Sequence, residues 1–260
     1  MLRVTSDQAV LNLAATVREL GELFLAKRPM LSQKMGKWES EVEAVNLIAL
    51  SATHGISAAI LAQSNTSFLP AAIPLARAAM EAGTRALWLL DPDEHFDGEA
   101  RWLIHVEEEI KIRMRLEAAF SQPPTNSASV RDFVDGIRSR LPSNITIPKQ
   151  VPKFDEMLRS IGMPEKCAVY AYLSQTVHAT HHGTSHYRQH LGSMKKLGTF
   201  ITAKDWFLPL STAWLFVALP LRKLSERQQT LSIDLLPLAL QERFVAAQAA
   251  LKNLDSGNQR

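Results

Sequence analysis

The sequence predicts an all-α fold, a single helical bundle of about seven to nine helices, from three observations. Every long patterned segment repeats its apolar residues at three- and four-residue steps, the period of an α-helix. No segment alternates apolar and polar residues with β-branched enrichment, so no strand is predicted. Glycine is scarce, with 11 residues where average usage gives about 18, which disfavours a β-protein with many turns.

Caps, apolar spacing and prolines predict four helices in the first half of the chain. A capping box at Thr5 opens the first helix, which we expect to end near Pro29. The third helix ends at Asp91, because the residue before a proline disfavours the α region. The four predicted helices span residues 5–28, 37–63, 70–90 and 97–120.

The second half is predicted as short elements followed by longer helices, all within one bundle domain of residues 1–254. Residues 121–163 are Pro-rich and partly irregular, and we interpret them as an insertion or a lid. Gly162 is expected to end the last short helix of this segment. The predicted elements are a loop at 121–129, a helix at 129–140, an extended connector at 141–153, helices at 154–161, 164–191, 202–228 and 232–254, and a frayed tail at 255–260.

Composition and charge narrow the classes of protein to which the chain can belong. Of its 260 residues, 46% are hydrophobic and 21% are charged, which is enough apolar material for a sizeable core. A single cysteine excludes an internal disulfide framework and a zinc module built on several cysteines. The net charge of +3 is dispersed along the chain, which indicates a solvated surface rather than one basic face.

The N-terminus and the most apolar stretch predict a cytoplasmic protein with no membrane partner. The first residues, MLRVTSDQAVLNLA, lack the apolar core and the cleavage site of a secretory signal. Residues 207–221 are the most hydrophobic, but about 15 residues are fewer than the roughly 20 that span a bilayer. Pro209 and Pro220 interrupt this stretch, so we expect a buried core helix there.

The third predicted helix carries an unusual row of charges. Residues 70–90 are apolar on most sides, which is typical of a buried helix. Arg77, Glu81 and Arg85 lie four residues apart and therefore share one face. Two arginines around one glutamate leave a guanidinium that suits a carboxylate or a phosphate. A surface row flanked by small alanines is the alternative interpretation.

Histidines cluster on the helix predicted at 164–191. Ser174, His178 and His182 share its most compact face, and Tyr170 lies one turn earlier. Histidine can act as a general acid or base near neutral pH, or it can bind a metal. Partly exposed or hydrogen-bonded bundle histidines are the structural alternative. Five of the eight histidines fall within thirteen residues: His178, His181, His182, His186 and His190.

No cofactor is predicted from the main interpretation, and a divalent metal, Zn or Fe, is the alternative. His178 and His182 would then supply two ligands and Glu81 the third. The Glu-x-x-His pairs of di-iron bundles and the His-Glu-x-x-His of zinc proteases are absent from the sequence. The sequence also has no glycine-rich phosphate loop and no Gly-x-Ser-x-Gly elbow.

Two segments resemble a group of uncharacterised bacterial all-helical proteins. They are ARAAMEAGTRALWLLDP at residues 76–92 and YAYLSQTVHATHHG at residues 170–183. Members of the group pair an Arg-x3-Glu helix ending in Trp-Leu-Leu with a later Tyr-x2-Leu-Ser-x3-His helix. The group is distantly similar to HEPN helical bundles, some of which are ribonucleases in toxin and antiphage systems.

The resemblance implies a shared pocket, and it favours a homo-oligomer, in the simplest case a homodimer. The residues that it implies face one another are Arg77, Glu81, Ser174 and His178. HEPN ribonucleases also carry an Arg-x4-6-His motif, whereas the nearest pair in this chain, Arg101 and His105, is separated by only three residues.

These observations predict a site between the third helix and the histidine helix, and they leave open whether the protein is an enzyme. In the first hypothesis the site binds or processes a phosphate-bearing ligand, a nucleotide or RNA. The predicted catalytic residues are His178, Glu81 and Ser174, and the predicted ligand-binding residues are Arg77, Arg85, Tyr170 and His182. A metal-dependent enzyme is the second hypothesis, and a non-catalytic structural or interaction bundle is the third.

Overall fold

The computed structural model describes residues 8–34, 37–120, 125–178, 180, 184–187, 200–227 and 233–253. Within these residues the chain forms nine α-helices and no β-strand, which confirms the all-α prediction. The helices are α1 (Gln8–Lys34), α2 (Glu39–Ser64), α3 (Leu69–Leu90), α4 (His95–Ala119), α5 (Thr125–Arg138), α6 (Phe154–Ser160), α7 (Lys166–Val177), α8 (Phe207–Arg227) and α9 (Leu238–Lys252). Short 3₁₀ turns lie at Thr66–Phe68, Ser185–Tyr187 and Ala203–Trp206.

The bundle is built around α2, α3 and α8, which pack against one another. α1 packs on α2 and is covered in turn by α9, while α7 and α6 pack on α3. α4 contacts α2 and α3 through its first half and carries α5 on its second half. Of the segment predicted as an insertion or a lid, α5 therefore packs on α4, and α6 packs on α3 and α7.

Two helical segments are long and apolar enough to cross a membrane by length and composition alone. They are Glu39–Ser64 and Ala203–Arg227, and more than half of the apolar window of each is buried inside the bundle. Core helices of soluble proteins pass the same test, so this finding is weak evidence for a membrane. The cytoplasmic location stays a prediction.

α3 and α8 approach each other closely at Gly83 and Phe216. A Cβ at Gly83 would lie 2.0 Å from the Phe216 carbonyl oxygen, so only glycine fits. That carbonyl lacks its usual partner within α8, because the residue four positions later is Pro220, which has no N–H. The Ser51 hydroxyl of α2 shares its one hydrogen between this carbonyl, at 3.1 Å, and the Ala79 carbonyl, at 2.9 Å.

This contact sets the rotation of α3 about its axis. Ala79 and Gly83 face α2 and α8, and Arg77, Glu81 and Arg85 lie on the opposite side of the helix. The charged row therefore points towards α7 rather than towards the centre of the core. α3 is central, as its apolar composition predicts, and its charges lie half-buried at one edge of the packed helices.

Four predicted helix boundaries are wrong: those at the end of α1, the start of α5, the end of α7 and the start of α9. α5 begins at Thr125, inside the predicted loop at 121–129, where Glu117 of α4 accepts hydrogen bonds from the Ser127 amide and hydroxyl. α1 continues through Pro29 to Lys34, because Leu31 is fully buried and holds the last turn in the core. α9 begins only after Pro237, since the residue before a proline avoids the helical region. The predicted cap Ser232 and the predicted tail lie outside the described residues.

The largest error concerns the helix predicted at 164–191, which ends at Val177. The His178 amide donates to the Ser174 carbonyl at 3.1 Å, and the Thr180 amide donates to the Gln175 carbonyl at 3.2 Å. A backbone hydrogen bond from an amide to the carbonyl five residues earlier, as between Thr180 and Gln175, is typical of a helix C-terminus, and it ends α7 at Val177. His186 lies in a separate 3₁₀ turn, so His178 and His186 do not share a helix.

We expect Gly83→Ala to lower the free energy of unfolding by about 3 kcal/mol or more, because the added Cβ must push α3 and α8 apart. Gly136→Ala in α5 is the matched control, since a Cβ there meets nothing within 4 Å. The control should raise the free energy of unfolding by up to about 1 kcal/mol through helix propensity. Urea denaturation of both variants tests this, and equal effects would contradict the α3–α8 contact.

Candidate functional site

Two charged residues of α3 meet a tyrosine of α7. An Arg77 terminal nitrogen donates to the Tyr170 hydroxyl at 2.8 Å, and that hydroxyl donates to Glu81 Oε1, also at 2.8 Å. The same Arg77 nitrogen lies 2.9 Å from Glu81 Oε1, one helical turn away. The three groups form a closed triangle, the Arg77–Tyr170–Glu81 triad, which ties α7 to α3.

The triad lies in a partly dehydrated environment. The Arg77 and Glu81 side chains are 18% and 31% exposed, and the Phe154 ring of α6 lies 4.1 Å from the Tyr170 ring. Arg77 also lies over the Tyr170 ring, with its Cζ 5.0 Å from the centroid. Burial raises the pKa of Tyr170, and the Glu81 carboxylate raises it further, while the Arg77 guanidinium opposes both. Tyr170 is therefore a neutral bridge between the two charges.

Glu81 and Tyr170 hold Arg77 in its charged form. Burial alone lowers the pKa of Arg77, but the Tyr170 hydrogen bond and the Glu81 charge outweigh it and raise that pKa. Glu81 and Tyr170 thereby also fix the orientation of the Arg77 guanidinium. Arg77 Nε is buried and has no hydrogen-bond partner, so one donor of this oriented guanidinium is unused in the part of the chain that is described.

Arg85 lies two turns beyond Arg77 on the same face of α3 and is half-buried. Its Nε is buried without a hydrogen-bond partner. Its guanidinium also makes no ion pair with any of the residues that the structure describes. The hydroxyl of the adjacent Thr84 is buried and unpartnered as well. Buried donors are nearly always satisfied in folded proteins, so this edge of α3 is short of acceptors.

A histidine of α2 is influenced by the charge of Glu81, and the local spacing of the sequence gave no sign of this. His54 is half-buried, and burial lowers its pKa, while the negative charge of Glu81 offsets part of that effect. His54 lies more than twenty residues before the charged row, on a helix whose register cannot be derived from local spacing. Its position near Glu81 depends on the packing of α2 against α3.

The other predicted catalytic residues lie at the end of α7. Ser174 is buried, and its hydroxyl donates to the Tyr170 carbonyl at 2.7 Å, so it can still accept a hydrogen bond. His178 is exposed at the residue that ends the helix, and its side chain bonds to no group in the described residues. His182 lies outside the described residues. The structure thus brings Arg77, Glu81 and Tyr170 together, and it leaves His178 at the solvent side, apart from them.

The metal alternative needs three ligands in one place. Within the described residues, no three histidine, cysteine, aspartate or glutamate side chains are grouped so that they could hold a metal ion. One of the three proposed ligands, His182, is not among those residues. The assignment of His178, His182 and Glu81 as ligands therefore stays a prediction.

A second polar cluster joins α2, α4 and α8 and was not predicted. Glu41 is almost fully buried, and its Oε1 lies 3.0 Å from His95 Nδ1 and 3.4 Å from Arg227 Nε. Arg227 also donates to the Leu90 and Pro92 carbonyls, both at 2.8 Å. The guanidinium therefore closes the turn after α3 and neutralises the buried carboxylate, which is a structural role.

No family model matches the chain, and no curated protein or solved structure gives a significant match. The fold places the chain in the class of all-α helical bundles. Such a fold does not determine a function, so the function depends on the geometry and chemistry of the site. The resemblance to HEPN-like bundles stays a prediction.

We predict that His54 makes the protein less stable at acidic pH. The pKa of His54 is lower in the folded than in the unfolded state, so the unfolded state binds more protons below about pH 6.5 and stability falls with falling pH. His54→Gln should remove this part of the pH dependence of the unfolding free energy. Glu81→Gln should make the unfolding free energy depend more steeply on pH, because the negative charge that partly offsets the lowered pKa of His54 is lost. An identical pH slope in wild type and His54→Gln would contradict the burial of this imidazole.

Proposed function

We propose that the protein binds a phosphate-bearing ligand, a nucleotide or RNA, along the charged face of α3. The observation that carries this proposal is the Arg85 guanidinium, half-buried and without an acidic partner among the described residues. A guanidinium is always charged and presents planar donors that match phosphate oxygens. A bound phosphate would supply the acceptors that this edge of α3 lacks.

The spacing of the two arginines favours a ligand with more than one phosphate. Arg77 and Arg85 are eight residues apart on one helix, which is about 12 Å along the axis. A single inorganic phosphate does not reach both guanidinium groups while the triad holds Arg77. A nucleoside polyphosphate or a short RNA strand has anionic groups far enough apart to contact both.

The triad has a positioning role in this proposal. Glu81 and Tyr170 engage one terminal nitrogen of Arg77 and fix its direction, which leaves Nε as a donor. An arginine held in advance loses less conformational freedom when a ligand binds. The same closed triangle also favours the non-catalytic alternative, in which the polar groups serve only to fix the register of α7 on α3.

Processing of the ligand needs a group that transfers a proton. We predict this role for His178, because it is exposed one turn beyond Ser174 and its imidazole bonds to no described residue. Ser174 has no nucleophilic role in this proposal, since its proton is engaged by the Tyr170 carbonyl.

Binding is tested by fluorescence anisotropy with a labelled RNA of about ten nucleotides and by calorimetry with ATP and with inorganic phosphate. Arg85→Ala should weaken binding of RNA or ATP by about tenfold or more, because a charge-assisted phosphate contact is worth about 1.5–3 kcal/mol. Arg85→Lys should retain part of the affinity, since it keeps the charge but loses the planar fork.

Arg18→Ala is the matched control, because Arg18 is exposed on α1 and pairs with Glu22 at 2.7 Å. It should leave affinity unchanged within about twofold, as expected for an isolated surface charge. Full affinity in Arg85→Ala, an equal loss in Arg18→Ala, or no binding of any of the three ligands by the wild type would overturn the proposal. RNA cleavage that persists in His178→Ala would remove His178 from the mechanism without affecting the binding proposal.

A further inference from the structure

The second half of α4 projects beyond the helices that cover its first half. His105 Nε2 lies 3.7 Å from Glu43 of α2, which places α2 beside α4 at that level. From residue 111 to residue 116 every side chain of α4 is exposed. The helix continues for about two and a half turns past the cover that α2 provides, and α5 packs beside this second half.

α5 occupies only one face of this projecting segment. Met114 accepts a hydrogen bond from Arg131 at 3.0 Å, and Glu117 accepts from the Ser127 hydroxyl at 2.7 Å. Ile110 and Met114 line the narrow cleft between the two helices. The residues that face α5 are therefore on the side of α4 that contains positions 110, 114 and 117.

The opposite face carries an apolar row that nothing in the described residues covers. Ile112 and Leu116 are half-exposed, and Phe120, which ends the helix, is 70% exposed. These residues lie four positions apart, so they form a continuous ridge along one side of α4. Three large apolar side chains in a row on a solvent-facing helix mark an interaction surface.

The charges that flank the ridge change sign along the helix. Three acidic residues precede Ile112: Glu107, Glu108 and Glu109. Three basic residues lie next to it or after it: Lys111, Arg113 and Arg115. Glu107 pairs with Arg138 of α5, and Glu109 pairs with Arg113 within α4. Glu108 and Arg115 remain without a hydrogen bond or an ion pair among the described residues.

We propose that this ridge is the dimer interface of the protein, with α4 of a second copy lying antiparallel across it. Glu108 and Arg115 are seven residues apart, which places them on the same edge of the ridge. In an antiparallel pair with its twofold axis beside Ile112, Glu108 of each copy faces Arg115 of the other. Each copy contributes one glutamate and one arginine, and together they form two identical ion pairs, as a twofold interface requires.

The same charge pattern disfavours the other occupants of such a ridge. A membrane surface and a nucleic acid are both anionic, and this stretch of α4 offers them no net positive charge, because Glu107, Glu108 and Glu109 balance Lys111, Arg113 and Arg115. A second copy brings an arginine to each free glutamate and an apolar row to each apolar row. The interface is independent of the α3 site, so the dimer does not rest on the proposed ligand binding.

The test is sedimentation equilibrium of the full chain, with charge reversal at the two paired positions. The wild type should show a species of twice the 28.9 kDa of one chain. Glu108→Arg alone and Arg115→Glu alone each place like charges opposite each other, and each should raise the dimer dissociation constant by about tenfold or more. The double variant Glu108→Arg/Arg115→Glu restores opposite charges and should return the constant to within roughly threefold of wild type.

Leu116→Lys should abolish the dimer without changing the thermal midpoint of the monomer, because Leu116 is 51% exposed and α5 packs on another face of α4. Val245→Glu on α9 is its control, since Val245 is an exposed apolar residue of another helix, at 63% against 51% for Leu116, and it should leave the dimer intact. A wild type that is monomeric at about 100 μM would overturn the proposal, since stable specific dimers have dissociation constants well below that concentration. The proposal would also be overturned if the dimer survives Leu116→Lys. A double variant whose dimer dissociation constant is as high as those of the single variants would overturn it too.

Discussion

The architecture of this bundle depends on the contact between Gly83 of α3 and Phe216 of α8. Pro220 removes the N–H that would bond to the Phe216 carbonyl, and Ser51 of α2 supplies a donor instead. The absence of a Cβ at Gly83 lets the two helices approach to a distance that no other residue allows. Three helices thus meet at one carbonyl oxygen, and their relative rotation follows from that meeting point.

The candidate site is a consequence of this rotation. With its small residues against α2 and α8, α3 turns Arg77, Glu81 and Arg85 towards α7. Arg77 and Glu81 are compensated by each other and by Tyr170, so their desolvation cost is offset within the protein. Arg85 has no such compensation among the described residues, and this difference between two arginines of one row is the strongest indication of a ligand.

Local patterns predicted most of the helices and the charged row, because helical period, caps and proline positions are encoded in adjacent residues. The sequence also pointed to Tyr170 together with Arg77 and Glu81. It failed where the outcome depends on distant contacts, as for His54, which approaches Glu81 only through the packing of α2 on α3. It failed again at Val177, where backbone hydrogen bonds end α7 although the apolar and histidine spacing continues.

Arg77, Glu81 and Tyr170 form one coupled unit that fixes α7 on α3. A double-mutant cycle that combines Glu81→Gln with Tyr170→Phe measures this coupling directly from urea unfolding of four proteins. A coupling energy of about 1 kcal/mol is expected, because the hydroxyl and the carboxylate share a charge-assisted hydrogen bond and a common arginine. Additive effects of the two substitutions, with a coupling energy near zero, would contradict the account.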